Sequence, residues 1–88
     1  MLILENSEDR EICFTNLGDA KKYYYMSNDC MYEMTRGFSI MQAQQYCNLV
    51  RDRNDDIASA RSLNDLASVL NLYSDDLDNG SMYSVREI

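Results

Sequence analysis

Leu17-Gly18-Asp19-Ala20-Lys21-Lys22-Tyr23-Tyr24-Tyr25-Met26 is the stretch on which the fold turns. Read as a strand over residues 22–26, it joins a series of short β segments. Read as a helix over residues 17–26, it starts from Asn16 as N-cap, with Asp19 at the third helical position. Three consecutive tyrosines favour extended backbone, and Asn16-Leu17-Gly18-Asp19 before them has turn chemistry, since glycine and asparagine tolerate positive φ. The expectation is a strand.

The neighbouring segments support that expectation. Residues 2–4 are a short apolar run, and Glu11-Ile12-Cys13-Phe14-Thr15 is rich in strand formers after the polar Asn6-Ser7-Glu8-Asp9. Ser27-Asn28-Asp29 supplies a further turn, and residues 30–35 alternate Cys/Tyr/Met against Met/Glu/Thr with a two-residue period. Four short strands predict a small antiparallel sheet over about residues 2–36. The second half changes period. Ser39 with Gln42 fits a capping box, and Ile40, Ala43, Cys47 and Val50 then recur at helical intervals, with Tyr46 and Leu49 widening the stripe. This predicts a helix over about residues 40–53, with Arg51 and Arg53 in its last turn and Asn54-Asp55-Asp56 ending it. Ser62 with Asp65 caps a second helix, about residues 63–73, carrying Leu63, Leu66, Ala67 and Leu70 on one face and Val69 and Tyr73 beside them. Asn79-Gly80 signals a turn after an acidic loop, and residues 82–88 alternate weakly enough to return as an edge strand. The predicted class is α+β, a small antiparallel sheet with two helices on one face, forming a single domain over residues 1–88.

Net charge is −7, from 15 acidic and 8 basic side chains, and it is concentrated at the ends. Residues 1–33 hold seven acids against three bases, residues 34–61 three against four, and residues 62–88 five against one. Phosphate binding rests on a Lys/Arg surface, so this balance argues against direct contact with nucleic acid and, equally, with anionic membrane surfaces. It predicts a protein partner with a basic surface. The start, Met1-Leu2-Ile3-Leu4-Glu5, lacks the basic region of a signal peptide. The cysteines, Cys13, Cys30 and Cys47, are odd in number, which fits free thiols in a reducing cytoplasm. Their regular spacing is matched by no other similarity between the segments. Three cysteines without a histidine fall short of a structural zinc site.

The residues give little support to catalysis, and the expectation is a non-enzymatic chain without a cofactor. There is no histidine for acid–base work, and the glycines stand isolated at 18, 37 and 80, so no phosphate loop forms. Adjacent carboxylates such as Asp75-Asp76 are ordinary loop solvation. An EF-hand register set by Gly80 would place Leu77 and Arg86 at ligand positions, where neither side chain can serve. Residues 62–73 have the look of a helix-turn-helix opening, but the chain continues as Ser74-Asp75-Asp76-Leu77-Asp78, which repels phosphate.

Tyrosine is the most informative bias, at seven of nine aromatics. Its ring and hydroxyl together suit interfaces. The candidate partner-binding residues are therefore Glu8, Asp9 and Glu11 near the first turn, Tyr24 in the tyrosine run, and Asp75, Asp76 and Asp78 in the late loop. In overall profile (under a hundred residues, pI near 4.3, no cofactor motif) the chain resembles the small anti-defence proteins of phages and mobile elements, of which anti-CRISPR proteins and DNA mimics are the type. That resemblance implies a host-cytoplasmic inhibitor that blocks a nuclease by occupying its nucleic-acid or conformational site. It assigns no individual residue a role. The alternative is a structural or regulatory adaptor working through a Tyr/Met-rich interface, as a homodimer or subunit.

Overall fold

The structure, a computed structural model of the chain, describes residues 1–74 and 82–88. Seven elements run in the order β1 (Leu2–Asn6), β2 (Glu11–Phe14), α1 (Leu17–Tyr24), α2 (Asn28–Thr35), α3 (Ile40–Ser59), α4 (Leu63–Leu72) and β3 (Tyr83–Glu87). The α+β class holds. The sheet is antiparallel with strand order β2-β1-β3, so the C-terminal segment does return as an edge strand. Its register pairs Leu2 with Glu87 and Asn6 with Tyr83. The chain ends meet there: the Ile88 amide donates to the Met1 carbonyl at 3.0 Å.

Residues 22–24 and 30–35, expected within strands, are helical instead, with Tyr25 the C-cap of α1 and Met26 in the link that follows. Local capping outweighs the β preference of the tyrosines. Asn16 Oδ1 accepts from the Asp19 amide at 3.1 Å and Ser27 Oγ from the Cys30 amide at 3.3 Å, each satisfying a donor left orphaned at a helix start. Packing then fixes α1. Ala20 is fully buried and Leu17 and Tyr24 pack against the core, a helical spacing of three and four residues. The sheet is therefore smaller in its first half than the expected meander and takes its third strand from the far end of the chain.

The capping box of α3 forms as expected, Ser39 and Gln42 satisfying each other's backbone amides at 3.2 Å. The helix does not stop at Asn54-Asp55-Asp56, however, but continues to Ser59. An asparagine usually weakens a helix by competing for its backbone. Here the Asn54 amide is engaged elsewhere, its Nδ2 donating to the Met26 carbonyl at 2.8 Å and its Oδ1 accepting from the Met26 amide at 3.1 Å. The buried stripe of α3 also lies later than expected, at Val50, Arg53, Asn54 and Ile57, while Ile40 is 87% exposed. Lys21 secures the end of the helix, its Nζ donating to the carbonyls of Ala58 and Ala60 at 2.7 and 2.8 Å. In α4, Ser62 Oγ accepts from the Asp65 amide at 3.1 Å, as its sequence signature requires.

The helices that touch the sheet are α1, against β2, and α4, against β1 and β3; α3 rests on α1 and α4, not on the sheet as expected. The core gathers Leu4, Ala20, Ile57, Leu63, Leu66, Ala67, Leu70 and Tyr83 between these layers. A second asparagine pairing ties β3 to α4: Asn71 Nδ2 donates to the Tyr83 carbonyl at 2.8 Å and its Oδ1 accepts from the Tyr83 amide at 2.7 Å. No helix among the described residues is long and apolar enough to cross a membrane.

Candidate protein-binding groove

Residues 7–10 turn the chain between β1 and β2, with Asn6 Oδ1 accepting from the Glu8 amide at 3.1 Å. Arg10 closes the turn at φ 55°, the left-handed region that asparagine and glycine usually occupy. Arg10→Gly is expected to raise the unfolding free energy by about 0.5–1 kcal/mol, since it relieves roughly 1–2 kcal/mol of strain and returns about half of that as chain entropy. Urea unfolding would show this as a higher midpoint at unchanged slope; a lower midpoint would contradict the turn geometry.

This turn presents Glu8 and Asp9 to solvent, with Glu11 exposed at the first position of β2. Ion pairs among the described residues join Arg86 to Glu5 at 3.4 Å, Arg36 to Glu33 at 3.9 Å and Arg51 to Asp52 at 3.9 Å, and involve none of the three turn carboxylates.

Behind the turn, a groove of about 290 Å³ runs between β2 and α1. Glu11, Ile12 and Cys13 of β2 form one side, Tyr23 and Tyr24 the other, with Asn6, Phe14 and Tyr83 completing the lining. The rings form a continuous set. Phe14 lies 5.1 Å from Tyr23 and 5.8 Å from Tyr24, Tyr23 and Tyr24 are 5.0 Å apart at 82°, and Tyr24 meets Tyr83 at 5.8 Å and 85°. These are the tilted and edge-on contacts that ring quadrupoles favour. Burial pushes the Tyr24 phenol far above its ordinary range, and the neighbouring Tyr83 and Cys13 push it further, so the groove floor is neutral. Tyr23 remains 71% exposed at the rim, its face open to a ligand. Because β2 is an edge strand, no strand covers its outer side among the described residues.

The structure thus brings Glu11 and Tyr24 into one groove and sets Glu8 and Asp9 on the turn that leads into it. Asp75, Asp76 and Asp78, with the turn expected at Asn79-Gly80, lie outside the described residues. Sequence reading missed Phe14, Tyr23 and Cys13 as partners of Tyr24, because it placed the tyrosines on a strand. The signal was present in Ala20 and Tyr24 at helical spacing. It also missed a second acidic surface. Asp52, Asp55 and Asp56 are exposed on α3, where a helix ending at Asn54 had put the last two in a loop.

Tyr73 closes onto that surface, its hydroxyl donating to Asp56 Oδ2 at 2.7 Å. That hydrogen bond, followed by desolvation and the charges of Asp56 and Asp52, pushes the Tyr73 phenol up to about 12. The neutral phenol is the stabilised form. Its contribution is complete below the ordinary phenol value of 10.0 and is lost as pH rises toward 12. An absorbance titration should show the half-buried Tyr73 ionising late, and Asp56→Asn should return it to the main transition. A late phase unchanged by that substitution would contradict the assignment.

Comparison of the chain with protein-family models, with curated proteins and with solved structures found no match. The groove itself presents a carboxylate, a side-chain amide and aromatic rings, from Glu11, Asn6 and the ring set of Phe14, Tyr23, Tyr24 and Tyr83.

Proposed function

We propose that this chain is a non-enzymatic protein-binding protein that captures a basic, extended segment of its partner in the groove between β2 and α1. The observation that carries this reading is the convergence of Glu11 and Tyr24 on one groove beside an edge strand, with Glu8 and Asp9 exposed on the turn just before that strand. An edge strand offers backbone groups to an added strand, and alternate side chains of that strand then enter the groove. Lysine or arginine entering there meets tyrosine faces, each worth about 0.5–2 kcal/mol, and the turn carboxylates. Complementary charge chiefly accelerates and orients the encounter, while the rings hold the complex.

Basic segments of this kind line the surfaces on which nucleases and other nucleic-acid-binding proteins hold phosphate. Occupying one would exclude the nucleic acid, an inhibitory action of the anti-CRISPR or anti-restriction kind, exerted in the cytoplasm where such enzymes work. The carboxylates would then stand where phosphates otherwise do.

The test uses a fluorescent peptide of alternating lysine and valine. It should bind the protein with an affinity that falls as salt rises, and a peptide of alternating glutamate and valine should not bind. Reversing Glu8, Asp9 and Glu11 to lysine should weaken binding by about 150-fold, since each exposed charge contributes roughly 1 kcal/mol. Unchanged affinity with no salt slope would remove these residues from the mechanism.

A further inference from the structure

Helix α2 and the first half of α3 form an arm that contributes nothing to the core. No residue between positions 28 and 49 is buried, and α2 has α3 as its one helical or strand neighbour among the described elements. The links on either side of α2 hold it to α3: Phe38, after α2, meets Tyr46 edge-on at 6.1 Å, and the Tyr46 hydroxyl donates to Sδ of Met26, before α2, at 3.5 Å. On the outside stand Tyr32, Ile40 and Met41, at 72%, 87% and 70% exposure. An eight-residue helix does not hold itself together in water, so an arm of this make-up calls for further packing.

Its charge is equally unusual. Residues 28–49 carry two acids and one base, so all but one of the seven net negative charges lie elsewhere in the chain, and residues 37–50 carry no charged side chain. A helix facing solvent ordinarily has a charged outer face. Depletion of charge with three of the six methionines, beside Tyr32, Phe38 and Tyr46, is instead the composition of an interface centre.

We propose that this arm is the two-fold interface of a homodimer, α2 and the N-terminal half of α3 of one copy packing on the same elements of the other. Charge selects a second copy as the occupant. Two chains of −7 repel wherever their acidic surfaces meet, and the nearly neutral arm is where they can touch with the least meeting of like charges. A basic partner, by contrast, finds a carboxylate excess of only one there to attract it. The available surface is sufficient. A standard interface takes roughly 800 Å² from each partner, about an eighth of the 6091 Å² that the chain exposes. The arm supplies a quarter of the residues.

This inference is independent of the groove and is tested on the protein alone. Sedimentation velocity across a concentration series should show a dimer that persists as salt rises, the opposite of the salt response of peptide binding. Ile40→Asp combined with Met41→Lys preserves net charge and changes two exposed side chains, so circular dichroism should be unchanged while the dimer weakens at least ~30-fold, as loss of interface hot spots does. Glu8→Lys, on the turn, should leave the dimer intact. A wild-type chain that stays monomeric at every concentration, a double variant that dimerises like wild type, or dissociation by Glu8→Lys would each overturn the proposal.

Discussion

Leu66→Ala is expected to lower the unfolding free energy by about 3–4 kcal/mol, the cost of the lost apolar contacts plus that of the cavity left behind. Leu66 is fully buried in the cluster that joins Leu4 of the sheet, Ala20 of α1 and Ile57 of α3. It therefore sits where α4 holds all the layers together, and neighbours anchored on three different elements cannot close the gap in concert. A domain of this size commands roughly 5–10 kcal/mol in total, so the variant should lie near the edge of folding. Leu72→Ala, on the same helix but 73% exposed, is the control and should cost less than about 0.5 kcal/mol. Chemical unfolding of the two variants side by side measures the difference. Equal effects would mean that α4 faces the core differently.

Asn54→Ala should cost about 2–4 kcal/mol through a different physical route. The change removes two hydrogen bonds, each contributing about 1 kcal/mol, and leaves the partly buried Met26 amide and carbonyl without the partner that replaced water. Met26 lies in the link between α1 and α2, so the effect should not be confined to global stability. Hydrogen exchange should accelerate in α2 more than in α4, since the link loses its attachment to α3 while the core keeps its own contacts. Asn48→Ala, exposed on the same helix, should do neither. Uniform loss of protection throughout the chain would contradict this local role for the pairing.

These two residues also mark what the sequence made legible. Leu66 belongs to a stripe read directly from spacing, and the starts of α3 and α4 were visible in Ser39 with Gln42 and Ser62 with Asp65, because a cap is a local arrangement of three or four residues. Asn54 was legible only as a helix breaker. Its side chain stabilises the fold because Met26, twenty-eight positions away, supplies the matching backbone groups, and no local pattern encodes that meeting. The same limit hid the third strand's place beside β1 and the hydrogen bonds of Lys21 to the end of α3.

The tyrosine run shows propensity overruled. Tyr23, Tyr24 and Tyr25 favour strands in isolation, yet the Asn16 cap and the burial of Ala20 draw the first two into α1 and leave Tyr25 as its C-cap. Tyr24 turns inward and Tyr23 and Tyr25 outward in either conformation, so the candidate groove kept Tyr24 although the reasoning behind its placement failed. Phe14 and Tyr23 could not be joined to it without knowing that α1 lies against β2. Glu11 was chosen for charge alone. Its position at the lip of an aromatic groove is a property of the hairpin register, set by the pairing of Asn6 with Glu11.

The most direct measurement is a residue-resolved amide NMR titration of the protein with the lysine–valine peptide. The account predicts saturable shifts confined to the turn, β2 and the end of α1, centred on Glu11, Ile12 and Tyr24, and abolished by the Glu8, Asp9 and Glu11 reversal. Small, non-saturating shifts spread over every acidic surface, including Asp52, Asp55 and Asp56, would show that the peptide senses only net charge and would contradict a binding groove.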